Sequence, residues 1–197
     1  MPDQQTHDLN NLLGARVTEV EIGFGDGEHL IRRASEHPER TFIGIEKKSS
    51  RAAVVATTIE RKHLDNILIL QSCAHEAFRD LLPSCSISRI YALFPDPWPK
   101  RKHVMYRIFS SEYLRLMNNR LQHGGEALIV TDSEQYYHWI LKQTPGTGFV
   151  VEHDTIPPLY NTRFERKWVD RNQHSFFRIR LEKTRHIEMS DSSSIAS

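Results

Sequence analysis

Five times between residues 17 and 143, a short run rich in β-branched and other apolar residues gives way to a segment with apolar residues at helical spacing. "RVTEVEIGFGDGEHLIRRAS" sets the pattern: a strand, a break at glycines, then Leu30, Ile31 and Ala34 on one helical face. "TFIGIE" (41–46) precedes a helix started by Ser49 or Ser50, with Ala52, Val55, Ala56 and Ile59 on one face. "NILILQ" precedes the short helix "EAFRDLL", and "ISRIYALF" (87–94) is a fourth strand stopped by Pro95. "SSEYLRLMNNRLQHGG" reads as a helix closed by Gly124 and Gly125; "EALIVTD" (126–132) is a fifth strand, followed by a helix from Ser133. Parallel strands need crossover connections, so this alternation predicts an α/β doubly wound sheet with helices on both faces. Two last strands, "FVVEHD" and "SFFRIRLEK", predict an antiparallel edge.

A chain of 197 residues suits one domain, predicted over 1–183, with the polar remainder 184–197 ("EMSDSSSIAS" at its end) as a disordered tail. No apolar run reaches the roughly 18 residues of a membrane span, and the start "MPDQQTHDLN" lacks the features of a signal peptide, so a cytoplasmic protein with no membrane partner is expected. Cys73 and Cys85 have neither CxxC nor metal-ligand spacing, and the eleven histidines show no ligand pattern, so no metal is expected. The net charge of +1 gives no global field for nucleic acid, and any such role rests on two basic clusters. One holds Lys100, Arg101, Lys102 and Arg107; the other holds Arg163, Arg166, Lys167 and Arg171. Taken alone, each cluster equally describes a solvated face.

In open α/β sheets the ligand crevice lies beyond the carboxyl ends of the strands. "EIGFGDG" ends the first strand, and Gly23, Gly25 and Gly27 let the backbone turn and approach a ligand closely. Glu46 ends the second strand, where an acid accepts both hydroxyl protons of a ribose. An adenosine-bearing cofactor follows. Glu21, Asp26 and Glu28 crowd the turn and would repel a pyrophosphate, so the cationic S-adenosylmethionine fits better than NAD. At the end of the fourth strand, Pro95, Pro97 and Pro99 lock three φ angles and hold Asp96 and Trp98 on a stiff extended support.

These motifs resemble those of the tRNA (guanine-N7)-methyltransferase family: "EIGFGDGE", "FIGIE", "FPDPWPK", "TD" at 131–132 and "NTRFERK" stand in that family's order, over about residues 17–183. "FPDPWPK" is highly specific, whereas the glycine turn is common to most methyltransferases. The resemblance implies a Rossmann-like class I methyltransferase fold with a mostly parallel seven-stranded sheet. It implies S-adenosylmethionine contacts at Glu21, Gly23, Glu46, Cys73, Ala74, Leu93 and Asp96, with Asp96 as the catalytic residue. It implies substrate contacts at Lys100, Asp132, Thr162, Arg163, Phe164 and Glu165, with tRNA as partner and the enzyme a monomer or homodimer. The chain departs from the pattern in having "QSCAHE" after the third strand, where the family has Gly-Asp-Ala, so Cys73 stands for the usual acid. Val104, Met105 and Tyr106 dilute a segment that is normally denser in cations. These departures keep open the alternative of a diverged N-methyltransferase acting on a small purine-like heterocycle, and, more distantly, a non-catalytic RNA-binding subunit. Trp139 and Trp168 are expected to pack, and Cys73 to be inert.

Overall fold

The computed structural model describes residues 17–189. Its central strand, β1 (Thr18–Ile22), is buried along its whole length because parallel partners flank it on both sides. β2 (Thr41–Ile45) pairs with it through Val20↔Ile43, and β4 (Ile87–Leu93) through Val20↔Ile90. β3 (Ile67–Leu70) extends the sheet beyond β2, and β5 (Leu121–Thr131) extends it beyond β4. β7 (Phe176–Lys183) runs antiparallel between β5 and β6 (Phe149–Ile156), giving the order β3-β2-β1-β4-β5-β7-β6. This is the expected mostly parallel sheet with an antiparallel edge. The strand order reverses between β1 and β4, whose carboxyl ends therefore open a crevice.

The helices are α1 (Glu28–Glu36), α2 (Ser49–Arg61), α3 (Ala74–Glu76, continued by a π turn over Ala77–Leu81), α4 (Ser111–Arg120), α5 (Glu134–Gln143) and α6 (Arg163–Val169). Strand side chains alternate between the faces of the sheet, which divides the core. Val20, Ile43 and Ile90 pack with Phe78, Tyr113 and Ile140 on one face. On the other, Phe24 and Phe42 pack with Leu30 of α1 and Val55 of α2, and Tyr91 with Tyr160 and Phe176. Each fully buried side chain of this size contributes about 1.5–3 kcal/mol. The alternation also buries Glu19 and Glu21 of β1, and polar side chains from outside the strand meet them. Arg33 of α1 and Arg40 lie 2.9 and 2.6 Å from Glu19, and His29 Nδ1 lies 2.9 Å from Glu21.

Three elements differ from the sequence expectation. α4 ends at Arg120 instead of running to the glycine pair, because its last carbonyls have partners elsewhere: Asn119 O and Arg120 O accept the N–H groups of Cys85 and Ser86. Leu121 then pairs with Ile87, the chain bulges past Ser88, and regular pairing resumes at Arg89↔Glu126. A 3-10 turn over Arg101–Tyr106 and helix α6 occupy stretches to which the sequence reading gave no secondary structure. Residues 184–187, placed in the predicted tail, are tied to the body: Asn118 Nδ2 donates to Arg185 O and its Oδ1 accepts from Ile187 N, while Asn119 Nδ2 donates to Ile187 O. The rest of that predicted tail from 190 onward lies outside the described residues. Among the described residues no helix is long and apolar enough to cross a membrane.

The bulge depends on Gly125, where a Cβ would stand 2.9 Å from Gln122 O, 3.1 Å from Ser88 O and 3.2 Å from Ile87 O, all backbone atoms that cannot swing away. Gly125→Ala should therefore lower the unfolding free energy by about 1–3 kcal/mol, the range for overpacking a tight site. Urea denaturation checks this, and an unchanged midpoint would contradict it.

Candidate functional site

β1 delivers its chain into a turn whose three glycines all have positive φ: 70° at Gly23, 57° at Gly25 and 72° at Gly27. Gly23 N donates to Ile45 O at 2.8 Å and Gly27 N to Phe24 O at 2.9 Å, so the turn is fixed to β2 before α1 begins. Among the described residues, beyond each glycine's own chain neighbours, nothing lies within 4 Å of where a Cβ would stand on Gly23 or Gly25, so bare backbone faces open space there. That space is a cavity of about 760 Å³ at the β1/β4 switch point, within the usual range for small-molecule sites. Glu21, Gly23, Leu93, Asp96, Thr162, Arg163 and Phe164 all line it, so seven expected site residues from three different chain segments share one cavity.

The other expected cofactor residues stand at neighbouring strand ends. Glu46 follows β2, buried, with Oε1 accepting from Lys48 N at 2.9 Å and Oε2 from Gly25 N at 3.3 Å. Arg51 Nη1 stands 3.8 Å from Oε2, beyond hydrogen-bond reach, so each carboxylate oxygen keeps a lone pair for a further donor. Cys73 caps α3, its Sγ accepting from Glu76 N at 3.4 Å. The Glu76 carboxyl is held below its ordinary range, first by its hydrogen bond with Cys73 and then by that with Ser72, so a carboxylate does stand beside the position where the usual acid is missing. Ala74 O accepts from Tyr113 at 3.5 Å.

The three acids of the turn are not free, contrary to the picture of uncompensated carboxylates. Glu21 is hydrogen-bonded to His29, whose ring stands edge-on to Tyr91 and Tyr160 at 4.7 and 5.7 Å. Asp26 pairs with Arg163 at 3.0 Å and Glu28 with Arg166 at 2.7 Å, so α6 lies across the mouth of the turn. Arg32 of α1 adds a hydrogen bond to Tyr160 O at 2.6 Å. Arg163 and Arg166, read from sequence as part of a cluster for phosphates, thus answer the turn's own charges.

Glu165 also differs from expectation. It is 1% exposed, and its carboxylate accepts the N–H groups of Leu159 at 2.8 Å, Tyr160 at 3.2 Å and Asn161. With three backbone donors on it and its side chain covered, this carboxylate shapes the loop before α6. Thr162 caps α6 by accepting from Glu165 N at 3.1 Å. Phe164, 5.1 Å from the Phe94 ring, keeps a partly exposed face toward the cavity.

On the opposite wall, Phe94 and Trp98 both have left-handed backbones (φ 56° and 42°), uncommon for bulky residues. Between them Asp96 is exposed and Pro97 O accepts from Arg107 Nε at 2.8 Å. Arg107 is buried, its guanidinium stacked over the rings of Tyr136 and Trp139 at 5.3 and 5.2 Å. The sequence placed Arg107 only in a basic cluster that equally describes a solvated face; it is instead the strut of the proline segment, and Trp139 is the packing residue expected. Trp168 packs against the Tyr91–Phe176 cluster as expected. Lys100 and Lys102 remain exposed beside this wall. Asp132, just past β5, is half-buried, and burial raises its carboxyl above the ordinary value against a smaller lowering by a backbone hydrogen bond. His29 and Glu76 were missed by sequence reasoning; the one available signal was the i+3 spacing from Cys73 to Glu76, that of a capping box.

A family model described as "Putative methyltransferase" matches residues 15–178. A tRNA (guanine-N(7)-)-methyltransferase of Chlorobium phaeobacteroides is 64% identical over 90% of this chain and 87% of its own length. The proteins of that name from Halorhodospira halophila and Ruegeria pomeroyi are 34% and 37% identical, over 85% and 75% of this chain and 76% and 62% of their own lengths. Among solved structures, the 16S rRNA methyltransferase KamB superposes with a TM-score of 0.73 at 16% identity, over 91% of this chain and 94% of that one. The precorrin-6y C5,15-methyltransferase of Geobacter metallireducens gives 0.60 at 13% identity, over 90% and 87%. At these identities the likeness is one of fold, and it agrees with the strand order found.

Two predictions follow from the walls of the cavity. Arg107→Met keeps the apolar stem but removes the bond to Pro97 O, and should cost about 1–3 kcal/mol in urea denaturation while increasing protease cleavage within 95–103. Equal stability and equal cleavage would remove Arg107 as the strut. For Asp132, a raised folded-state pKa means that the folded state favours the protonated form, so stability is lost as pH rises from the ordinary carboxylate range through the raised value. Asp132→Asn should therefore melt at the same temperature as the unsubstituted protein at pH near 3 and at a higher one at pH 7. A gap that is constant with pH would refute the assignment.

Proposed function

The chain belongs to the tRNA (guanine-N(7)-)-methyltransferase family, and we propose that it transfers the methyl group of S-adenosylmethionine to N7 of a guanosine in tRNA. The observation that carries this reading is that the glycine turn and the proline-held Asp96 wall one cavity. S-adenosylmethionine supplies, when bound, an electrophilic methyl group on a sulfonium. The residues present fit it. The bare backbone at Gly23 and Gly25 admits a ligand at contact distance, the free lone pairs of Glu46 suit ribose hydroxyls, and Glu21, aligned by His29, suits an ammonium group. The alternative of a small heterocyclic substrate has no observation of its own in its favour.

Guanine N7 carries an in-plane lone pair and no proton, so no general base has to act before the attack. The protein must hold the base and stabilise the cationic ring that forms. Asp96 is suited to both: its carboxylate accepts from the guanine N1–H and amino edge, which become better donors as the ring gains charge. Phe164 offers a ring face for the base, and Asp132 and Thr162 further polar groups. Glu165 acts through the loop backbone that it holds, without touching the base. Lys100 and Lys102 are exposed beside Asp96 and suit RNA phosphates, whereas Arg163 can join them only by leaving Asp26. A cytoplasmic location accords with a tRNA substrate.

Incubation with bulk tRNA and methyl-labelled cofactor, followed by digestion to nucleosides, should give label in 7-methylguanosine; label in another nucleoside would overturn the assignment. Asp96→Asn should then lower kcat by about 10²–10³-fold with the melting temperature unchanged, as for loss of one preorganised electrostatic group. A destabilised variant of full activity would make Asp96 structural.

A further inference from the structure

Lys183 ends β7 with a side chain only 1% exposed, and a covered ammonium without a carboxylate is costly. Its Nζ donates to Leu121 O at 2.5 Å, to His186 Nδ1 at 2.9 Å and to Cys85 Sγ at 3.7 Å, which uses all three donors. None of these acceptors bears a fixed negative charge. Only the Cys85 thiol can acquire one. Burial pushes the Lys183 ammonium down from its ordinary value, and the neighbouring Cys85 sulfur pulls it back up. His186 Nδ1 also lies 3.7 Å from Sγ.

Cys85 itself is exposed, on a left-handed turn (φ 53°) before β4. Its backbone is held by the bond from Cys85 N to Asn119 O at 3.0 Å, so the sulfur is presented from a fixed point. The other thiol makes a useful contrast. Cys73 is half-buried, its sulfur accepts a backbone N–H, and the charged group hydrogen-bonded to it is the Glu76 carboxylate, which opposes a second negative charge.

We propose that Cys85 is a reactive-thiol site that takes small disulfides by thiol–disulfide exchange, with Lys183 as counter-ion of the attacking sulfur. The Cys85 thiolate attacks one sulfur of the disulfide, the S–S bond breaks as a new Sγ–S bond forms, and the leaving sulfur departs with the electron pair and takes a proton from solvent. The disulfide is the oxidant and no other reactant is needed. The site lies at the amino end of β4, while the cavity opens at its carboxyl end, about 20 Å away for a strand of this length. It is therefore separate from the methyl-transfer machinery.

The test treats the reduced, folded protein with dithiobis(nitrobenzoic acid) at neutral pH and locates the adducts by mass spectrometry. Cys85 should react at least about 10-fold faster than Cys73. Lys183→Met should slow Cys85 by about 10-fold, and Lys183→Arg, which keeps the charge, should preserve most of the rate. Equal rates at the two cysteines, or an undiminished rate in folded Lys183→Met, would overturn the proposal. Should Lys183→Met fail to fold, the unsubstituted protein decides. Cys85 must react faster in the native state than in urea, where access is greater but Lys183 has left; a slower or equal native rate overturns the proposal.

Discussion

Glu19 and Glu21 are side chains that the middle strand of a parallel sheet would normally reject, and the architecture of the site is built around satisfying them. Strand alternation turns both toward α1 and buries them there. Arg33 and His29 reach them from α1, while Arg40 closes on Glu19 from the loop before β2. Leaving such a buried carboxylate without its partner costs about 1–3 kcal/mol or more, so α1 is held at one height and rotation over β1. That placement sets the glycine turn between them and the direction in which bare backbone faces the cavity.

The same helix then serves as a dock. Asp26, Glu28 and Arg32 near its start receive α6 and the loop before it through Arg163, Arg166 and Tyr160 O. These ion pairs are exposed, and pairs of that kind contribute about 0–1 kcal/mol each. The cavity thus has one rigid wall, fixed by buried charges, and one held by weak, screened contacts. On the third side three prolines and the buried Arg107 keep Asp96 in place through the backbone, leaving its carboxylate exposed. A rigid acid opposite an adjustable helix suits a reaction in which a base must enter from a much larger molecule and be held still while charge develops on it.

Much of this was legible in the chain. The sheet could be read because the β/α alternation is periodic and local, and the fingerprints "EIGFGDGE" and "FPDPWPK" mark the two strand ends that meet at the switch point. The errors have a common form. Arg107 and Arg166 were read as members of basic clusters, and Arg163 and Glu165 as substrate contacts implied by the resemblance, yet each is engaged by a group distant in sequence or by a backbone segment. The helix carried too far, to Gly124, failed likewise: nothing near Arg120 announces that Cys85 and Ser86 will take its last carbonyls.

The sequence by itself determined the order and type of most elements and the glycines at which the backbone turns left-handed after β1, and it named the residues proposed here for methyl transfer; the left-handed backbone at Trp98, expected to be extended, it did not foresee. These depend on steric limits and periodicities within a few residues. The tertiary structure alone decided which charges face solvent and which face one another. A carboxylate or guanidinium is equally at home in water or against an opposite charge, and only the packing of β1 against α1, of α6 against the turn, and of Lys183 beside Cys85 selects between them.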